Sequence, residues 1–251
     1  QVRNVNRPHA GVGVTRMGQT IAQKILSEKT GRPLEPGEIV KVEYDLVASH
    51  DMSTPAVDSM LQDWGVEEIA DPDRVAVIPD HMVPSHNDVS QQNYNATKAF
   101  AEKHDVKEFY PQSETGLMHV VLHEDGIVKP GDVVIGADSH MPTCGAIGAF
   151  STGVGFTDLA FALEQGWTWF RVPEAIRFEY YGTPSPWVRG KDLVLYTLGQ
   201  IGVDGAVYKS MEFGGPLISD LPVDDRFSIA NMAIEGGGKV GLLEPDEKMD
   251  A

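Results

Sequence analysis

The sequence predicts an α/β fold in which mainly parallel sheets are flanked by helices. Apolar, strand-like segments alternate with segments of helical spacing, a pattern typical of βαβ units. Three of the strands end in clusters of aspartate and histidine, namely His50-Asp51, Asp80-His81 and Asp138-Ser139-His140. Parallel strands place their carboxyl ends at one edge of a sheet, where ligands of such folds bind. We therefore expect the three clusters to converge into one site.

The elements of the first half follow in order. Apolar residues at helical spacing predict helices over 17–29, 55–64 and 90–104. Strand patterns cover 38–49, 75–78 and 107–110, and the apolar segment 116–123 contains His119. Residues 1–16 are expected to form an unstructured leader or tag.

The stretch from Asp132 to Asp158 begins with the apolar strand 133–135 and continues through a loop rich in glycine. Glycines in such a loop are explained either by tight turns or by close approach of the backbone to an anionic ligand. Beyond it we expect a helix over 159–166, a strand over 175–181 and helices over 192–201 and 226–235. The 226–235 helix would place Asn231 and Glu235 on one face.

A boundary near Val172 divides the chain into a domain over 17–172 and a second over 173–251. The formal charge of −17 argues against binding to nucleic acid or to an anionic membrane surface. The sequence contains a single cysteine, Cys144, which excludes an internal disulfide framework and favours a reducing, cytoplasmic setting. We expect Cys144 to be a packed free thiol.

Several ordered segments resemble the aconitase superfamily of hydro-lyases, most closely its branch of 3-isopropylmalate dehydratase and homoaconitase large subunits. The resemblance runs from Met17 to Glu247 and is carried by the segments MGQTIAQKIL, VASHD, IPDHMVP, GLMHVVLHEDGIVKPGD, VVIGADSH, GAIGAFSTGVGFTD, GKDLVLYTLGQIGVDGAVYKSMEFGG and NMAIE. It implies aconitase-like three-layer domains, with the second domain incomplete.

The resemblance also implies roles for individual residues. Asp80 and His81 match the pair that delivers a proton to the departing hydroxyl. His119 matches a second histidine that pairs with Glu235 on a later helix. Asp138 and Ser139 match the residues that hold the bound water or hydroxyl and a substrate carboxylate.

Two further positions complete the implied substrate contacts. Asn231 matches an asparagine that lies beside the family's iron–sulfur cluster. His50 occupies a position that is typical of the isopropylmalate branch. The substrate implied is a malate-like hydroxy di- or tricarboxylate.

The family's cofactor is a [4Fe-4S] cluster, but the cysteines that ligate it lie in segments beyond this chain. The general-base serine and the substrate arginines also lie later, or in a separate small, swivelling-domain subunit. We therefore expect no metal ligand and no bound cluster in this chain alone, and we expect the fragment alone to be inactive. Two departures from the family pattern are Met141 after the Asp-Ser-His segment and Ala230 before Asn231.

Three functions stay open at this point. The first is the N-terminal part of a hydro-lyase large subunit. The second is a cluster-free protein that keeps the pocket as a carboxylate sensor or regulatory partner. The third is a cluster-independent dehydratase that uses His81 and His119 as acid and base, with a divalent ion at the histidine and aspartate side chains.

Overall fold

A computed structural model describes residues 2–4 and 18–249 of the chain. These residues form a mixed α/β fold with mainly parallel sheets and flanking helices, as the sequence predicts. The strands are β1 (Val2–Asn4), β2 (Ile39–Val42), β3 (Leu46–Ser49), β4 (Val75–Val77), β5 (Glu108–Phe109), β6 (Val133–Gly136), β7 (Phe150–Gly153), β8 (Thr168–Arg171), β9 (Ala175–Tyr180), β10 (Ser210–Gly214) and β11 (Val240–Leu243). The helices are α1 (Ile21–Thr30), α2 (Thr54–Asp63), α3 (Asp88–Lys103), α4 (Met118–Glu124), α5 (Phe156–Gln165), α6 (Gly190–Ile201), α7 (Pro216–Asp220) and α8 (Val223–Asn231).

The chain divides into two compact units that are discontinuous in sequence. The first comprises the described residues of the segments Gln1–Val40, Pro142–Ser151 and Phe170–Ala251. The second comprises Lys41–Met141 and Thr152–Trp169. This division differs from the predicted boundary near Val172, because α1 belongs with the later part of the chain: the backbone N–H of Ala22 donates to the buried carboxylate of Glu212 in β10.

The first unit contains a four-stranded sheet with the order β1-β9-β10-β11. Strands β9, β10 and β11 are parallel, and β1 pairs antiparallel with β9. Three residues of the predicted leader thus form a strand, whereas residues 1 and 5–16 lie outside the described part of the chain. Alternating burial along β9 places Ile176, Phe178 and Tyr180 in the core.

The second unit contains the strands that carry the three clusters. The five-stranded sheet has the order β5-β4-β3-β6-β7, with parallel pairing of β5 with β4, of β4 with β3 and of β3 with β6. The residues of β3, β4 and β6 are all buried, as expected for parallel strands covered on both faces. Helices α2 and α5 pack against each other in this unit.

The structure corrects three details of the predicted elements. The strand over 38–49 is interrupted, because Tyr44 turns inward to donate to the carbonyl of Ala162 and Asp45 accepts from the N–H of Val133. The α-helix predicted over 226–235 ends at Asn231 and continues as a 3-10 helix over Met232–Gly236. Finally, the glycine-rich loop contains β7, a strand that was not predicted because its small residues lack a strand pattern.

Among the described residues, no helix combines the length and the apolar character needed to span a membrane.

Candidate active site

The clusters follow three neighbouring strands of the five-stranded sheet. Register pairs Ser49 of β3 with Val77 of β4, and Ala48 of β3 with Gly136 of β6. His50 and Asp51 come directly after β3, while the other two clusters follow β4 and β6 after short connections. The parallel arrangement therefore brings all three clusters to one edge, as expected from the sequence.

Asp138 is the centre of the site. Its Oδ1 lies 3.0 Å from Nε2 of His119, at the start of α4. Its Oδ2 lies 3.4 Å from Nε2 of His81 and 3.9 Å from Nε2 of His50. One carboxylate thus faces the Nε2 atoms of three histidines from three different segments of the second unit.

Opposing influences act on the pKa of Asp138. Burial raises it, but the hydrogen bond and charge of His119, the backbone N–H of His140 and the charge of His50 lower it more. The pKa of Asp138 therefore lies well below its ordinary range, and the side chain is ionised at neutral pH. An ionised carboxylate accepts hydrogen bonds on both oxygens.

His81 is held by Asp80 in a carboxylate–histidine pair. Nδ1 of His81 lies 2.5 Å from Oδ1 of Asp80, and Oδ2 of Asp80 accepts from the backbone N–H of Met118 at 2.7 Å. The Asp80 side chain is 5% exposed, whereas that of His81 is 33% exposed. The carboxylate is therefore fixed inside the protein, whereas the His81 side chain is partly exposed.

His50 is a buried, neutral histidine that stacks on His81. The ring centroids are 3.8 Å apart with an interplanar angle of 13°. Burial, followed by the charge of His81, lowers the pKa of His50. Since Nδ1 of His50 accepts from the backbone N–H of Met52, the remaining proton of the neutral ring lies on Nε2, which faces Asp138.

The lowered pKa of His50 predicts a pH dependence of stability. Below about pH 6.5, the usual pKa of an unfolded histidine, the unfolded chain binds a proton that folded His50 resists, so stability falls as the pH falls toward 5. We expect the free energy of unfolding, measured with urea, to fall by up to about 1.4 kcal/mol per pH unit for each such histidine. The His50→Gln variant should have a smaller slope than the wild type, whereas exposed His86→Gln should not. Equal slopes in all three proteins would contradict the assignment.

Gly153 explains part of the glycine content of the central stretch. A Cβ atom at this position would lie 2.5 Å from the carbonyl oxygen of Asp138, closer than van der Waals contact allows. The glycine therefore permits close packing of β7 against the backbone that carries the central carboxylate.

We expect Gly153→Ala to displace Asp138 and to lower the free energy of unfolding by about 1–3 kcal/mol. Gly199→Ala is the matched control, because nothing lies within 4 Å of a Cβ atom at that position of α6. Alanine there should stabilise the protein by up to about 1 kcal/mol. Chemical denaturation measures both values, and an unchanged stability of Gly153→Ala would show that the backbone at Asp138 moves freely.

The surroundings of three further predicted site residues, Ser139, Asn231 and Glu235, differ from those of the three histidines that face the central carboxylate. Ser139 is exposed and its Oγ lies 3.0 Å from Nδ1 of His140. Asn231 and Glu235 belong to the first unit, where Nδ2 of Asn231 donates to Oγ1 of Thr143 at 2.8 Å. Because the α-helix ends at Asn231, the predicted placement of Asn231 and Glu235 on one α-helical face is wrong.

The pairing of His119 with Glu235 stays a prediction. Nδ1 of His119 is buried and has no hydrogen-bond partner among the described residues. Glu235 lies in the 3-10 helix and its side chain is exposed.

The residues of this chain do not fit an iron–sulfur cluster. Clusters are held by several cysteine thiolates, and the sequence has one cysteine. Cys144 is fully buried, and burial raises its pKa to about 12 despite a hydrogen bond with Ser151. It is the packed free thiol that the sequence predicts, and any cluster must take its ligands from elsewhere.

A mononuclear metal site is also disfavoured by the hydrogen bonds. His50, Asp51, Asp80 and His81 offer potential ligand atoms within 4.8 Å of one another. However, both oxygens of Asp51 accept from backbone N–H groups, and both oxygens of Asp80 have partners in His81 and Met118. A metal ion would have to displace these bonds.

Comparison with known proteins identifies the family of this chain. The family model described as the aconitase family (aconitate hydratase) matches residues 23–251. This chain belongs to the aconitase family. The match covers the whole His/Asp site, including Asp80-His81 and Asp138, and extends through Asn231 and Glu235.

Individual members of the aconitase family give the same relationship. The chain is 48% identical over 233 residues to the 3-isopropylmalate dehydratase large subunit of Aquifex aeolicus, covering 92% of this chain and 54% of that protein. It is 48% identical over 235 residues to the protein of the same name from Thermoanaerobacter pseudethanolicus, covering 94% and 56%. The chain thus spans about half the length of the curated relatives it matches.

Sequence reasoning placed Asp51 and His140 in the clusters but gave neither a role in the site. In the structure Asp51 is fully buried, and the backbone N–H of His140 donates to Oδ1 of Asp138 at 2.6 Å. The available signal was their position at the strand ends, which does not distinguish a ligand-binding side chain from one that supports its neighbours.

Proposed function

We propose that the chain forms part of a hydro-lyase that removes water from, and re-adds it to, a malate-like hydroxy di- or tricarboxylate such as isopropylmalate or homocitrate. The observation that carries this proposal is the Asp138 carboxylate, which faces the Nε2 atoms of three histidines, one of them backed by Asp80. Proton donors around one ionised acceptor suit a reaction in which a hydroxyl group must be held and protonated.

His81 is the general acid of this proposal. Protonated His81 donates its Nε2 proton to the departing hydroxyl, so that water leaves in place of hydroxide. Asp80 stabilises the protonated ring and holds its Nδ1–H, which keeps Nε2 directed into the site. In the hydration direction the same ring accepts the proton from the incoming water.

Asp138 and Ser139 hold the substrate. The ionised Asp138 accepts a hydrogen bond from the substrate hydroxyl or the bound water, and the exposed Ser139 hydroxyl donates to a substrate carboxylate. Neutral His50 contributes a fixed Nε2–H donor beside them. His119, Asn231 and Glu235 complete the proposed set, with His119 paired to Glu235 and Asn231 near the cofactor.

The proposed complete enzyme contains a [4Fe-4S] cluster, which supplies Lewis acidity toward the hydroxyl group when bound. Its ligands and the general base are proposed to lie outside this chain. The residues of this chain hold the substrate and deliver the proton. The name "large subunit" carried by the relatives supports a small subunit as partner. The single cysteine supports a cytoplasmic setting.

The test uses the complete large subunit that carries this sequence, mixed with a small subunit and a reconstituted cluster. We expect isopropylmalate or homocitrate to be converted to the unsaturated acid, measured by the ultraviolet absorbance of the new double bond. A loaded enzyme that turns over no hydroxy di- or tricarboxylate would contradict the proposal. Binding of these acids without turnover would favour a cluster-free carboxylate-binding or regulatory protein.

A further inference from the structure

Asp51 is a buried carboxylate to which the proposed chemistry gives no role. It follows β3 directly, is 0% exposed and lies beside His50 in the sequence. An ionisable side chain in such a position is costly to bury unless its oxygens have strong hydrogen-bond donors.

The donors of Asp51 are three consecutive backbone N–H groups of one loop. Oδ1 accepts from the N–H of Asp80 at 3.1 Å and from that of His81 at 3.0 Å, and Oδ2 accepts from that of Met82 at 2.7 Å. This loop follows β4 and carries the Asp80-His81 pair. The hydrogen bond between Asp51 and His81, the proposed general acid, thus involves the backbone of His81 and not its ring.

We propose that Asp51 is a positioning residue that fixes the loop over 80–82 and thereby the direction of the His81 ring. The inference rests on the proposed role of His81 as general acid. Proton transfer needs the donor within hydrogen-bond distance of the reacting oxygen, and small displacements of such a donor lower the rate strongly. The hydrogen bond of His81 with Asp80 and the stacking of His81 on His50 both require the loop in this place.

The two oxygens of the carboxylate explain why aspartate suits this position. In Asp51→Asn, one oxygen becomes an NH₂ group, which is only a donor. Either the Met82 N–H or the pair from Asp80 and His81 then faces a donor and loses its acceptor. Hydrogen bonds to charged groups are strong enough that we expect the affected amides to exchange with solvent roughly ten- to hundredfold faster.

The experiment compares this chain with its Asp51→Asn and Asp45→Asn variants. Asp45 is the matched control, because its Oδ2 also accepts a backbone N–H, that of Val133 at 2.6 Å, but at the opposite end of β3. NMR follows hydrogen exchange at the amides of Asp80, His81 and Met82, and the ¹⁵N shifts of the His81 ring, which report its tautomer. We expect both signals to change in Asp51→Asn and neither to change in Asp45→Asn.

A purely structural role would lower the stability of both variants and leave the His81 ring shifts unchanged, which would overturn the proposal. If Asp51→Asn does not fold, exchange in the wild type decides: unprotected amides at 80–82 overturn the inference and protected ones support it. Asp51→Glu, which restores a carboxylate, should recover part of the protection.

In the complete enzyme Asp51→Asn should lower kcat at least tenfold with little change in KM. Absence of turnover in the wild type would count against the proposed function, whereas the NMR results on the chain would still decide the role of Asp51.

Discussion

Replacing His81, the proposed general acid, with alanine in the complete protein will lower kcat for the proposed dehydration by roughly 10²- to 10⁴-fold, the usual contribution of a positioned general acid. Without the ring, hydroxide must leave unprotonated, because the carboxylate of Asp80 is buried and its Oδ2 is held by the backbone N–H of Met118. The signal of the proposed iron–sulfur cluster should be unchanged, since its ligands are proposed to lie outside this chain. Steady-state kinetics with a spectroscopic measurement of cluster content checks both statements.

The control for this variant is His86→Ala. His86 follows the same loop, but its side chain is exposed. We expect His86→Ala to keep wild-type turnover. If His81→Ala also kept wild-type turnover, the assignment of His81 as the acid would be wrong.

Asp138→Asn will have the other large effect, because it removes the charge around which the histidines are arranged. We expect a loss of about 10² to 10³ in kcat/KM, comparable to removing one preorganised polar contact to the reacting group. Asp132→Asn serves as the control, since Asp132 precedes β6 and Asp138 follows it, and Oδ2 of Asp132 accepts from the N–H of Lys129. Equal kcat/KM values for the two variants would contradict the central role of Asp138.

The same substitution should lower stability in a pH-dependent way. The pKa of folded Asp138 lies below the unfolded value of about 3.9, so its ionised form stabilises the fold above that pH. This contribution is lost as the pH falls through the folded pKa. Asp138→Asn should therefore cost about 1–3 kcal/mol at pH 7, and this cost should begin to shrink only as the pH falls below about 3.9 toward the folded pKa. Chemical denaturation at pH 7 and at a series of pH values below about 3.9 measures the change, and a cost that does not shrink along the series would show that packing, not charge, is lost.

Much of the site could be predicted from the order of residues along the chain. The strands before His50, Asp80 and Asp138 are largely apolar and buried throughout, a composition typical of buried parallel strands. Since the carboxyl ends of such strands share an edge, the convergence of the clusters followed from local patterns. The segments around Asp80-His81 and Asp138 were also specific enough to predict the aconitase family, which the family model confirmed.

Other features depended on contacts between distant segments, which local patterns do not encode. The strand predicted over 38–49 is broken because Tyr44 bonds to a residue 118 positions away. Helix α1 belongs with β10 through the bond from Ala22 to Glu212, 190 positions apart. These contacts are favourable only when the whole fold brings the partners together.

The same contrast between local pattern and tertiary contact holds for the side chains of the three clusters. Residue type and spacing were enough to predict that Asp80 and His81 lie together after the end of a strand. Only the folded chain shows that neighbouring Asp51 accepts three amides of their loop, because those donors follow it by 29 to 31 residues. A carboxylate's chemistry depends on its donors, its burial and the charges beside it, and tertiary packing sets all three.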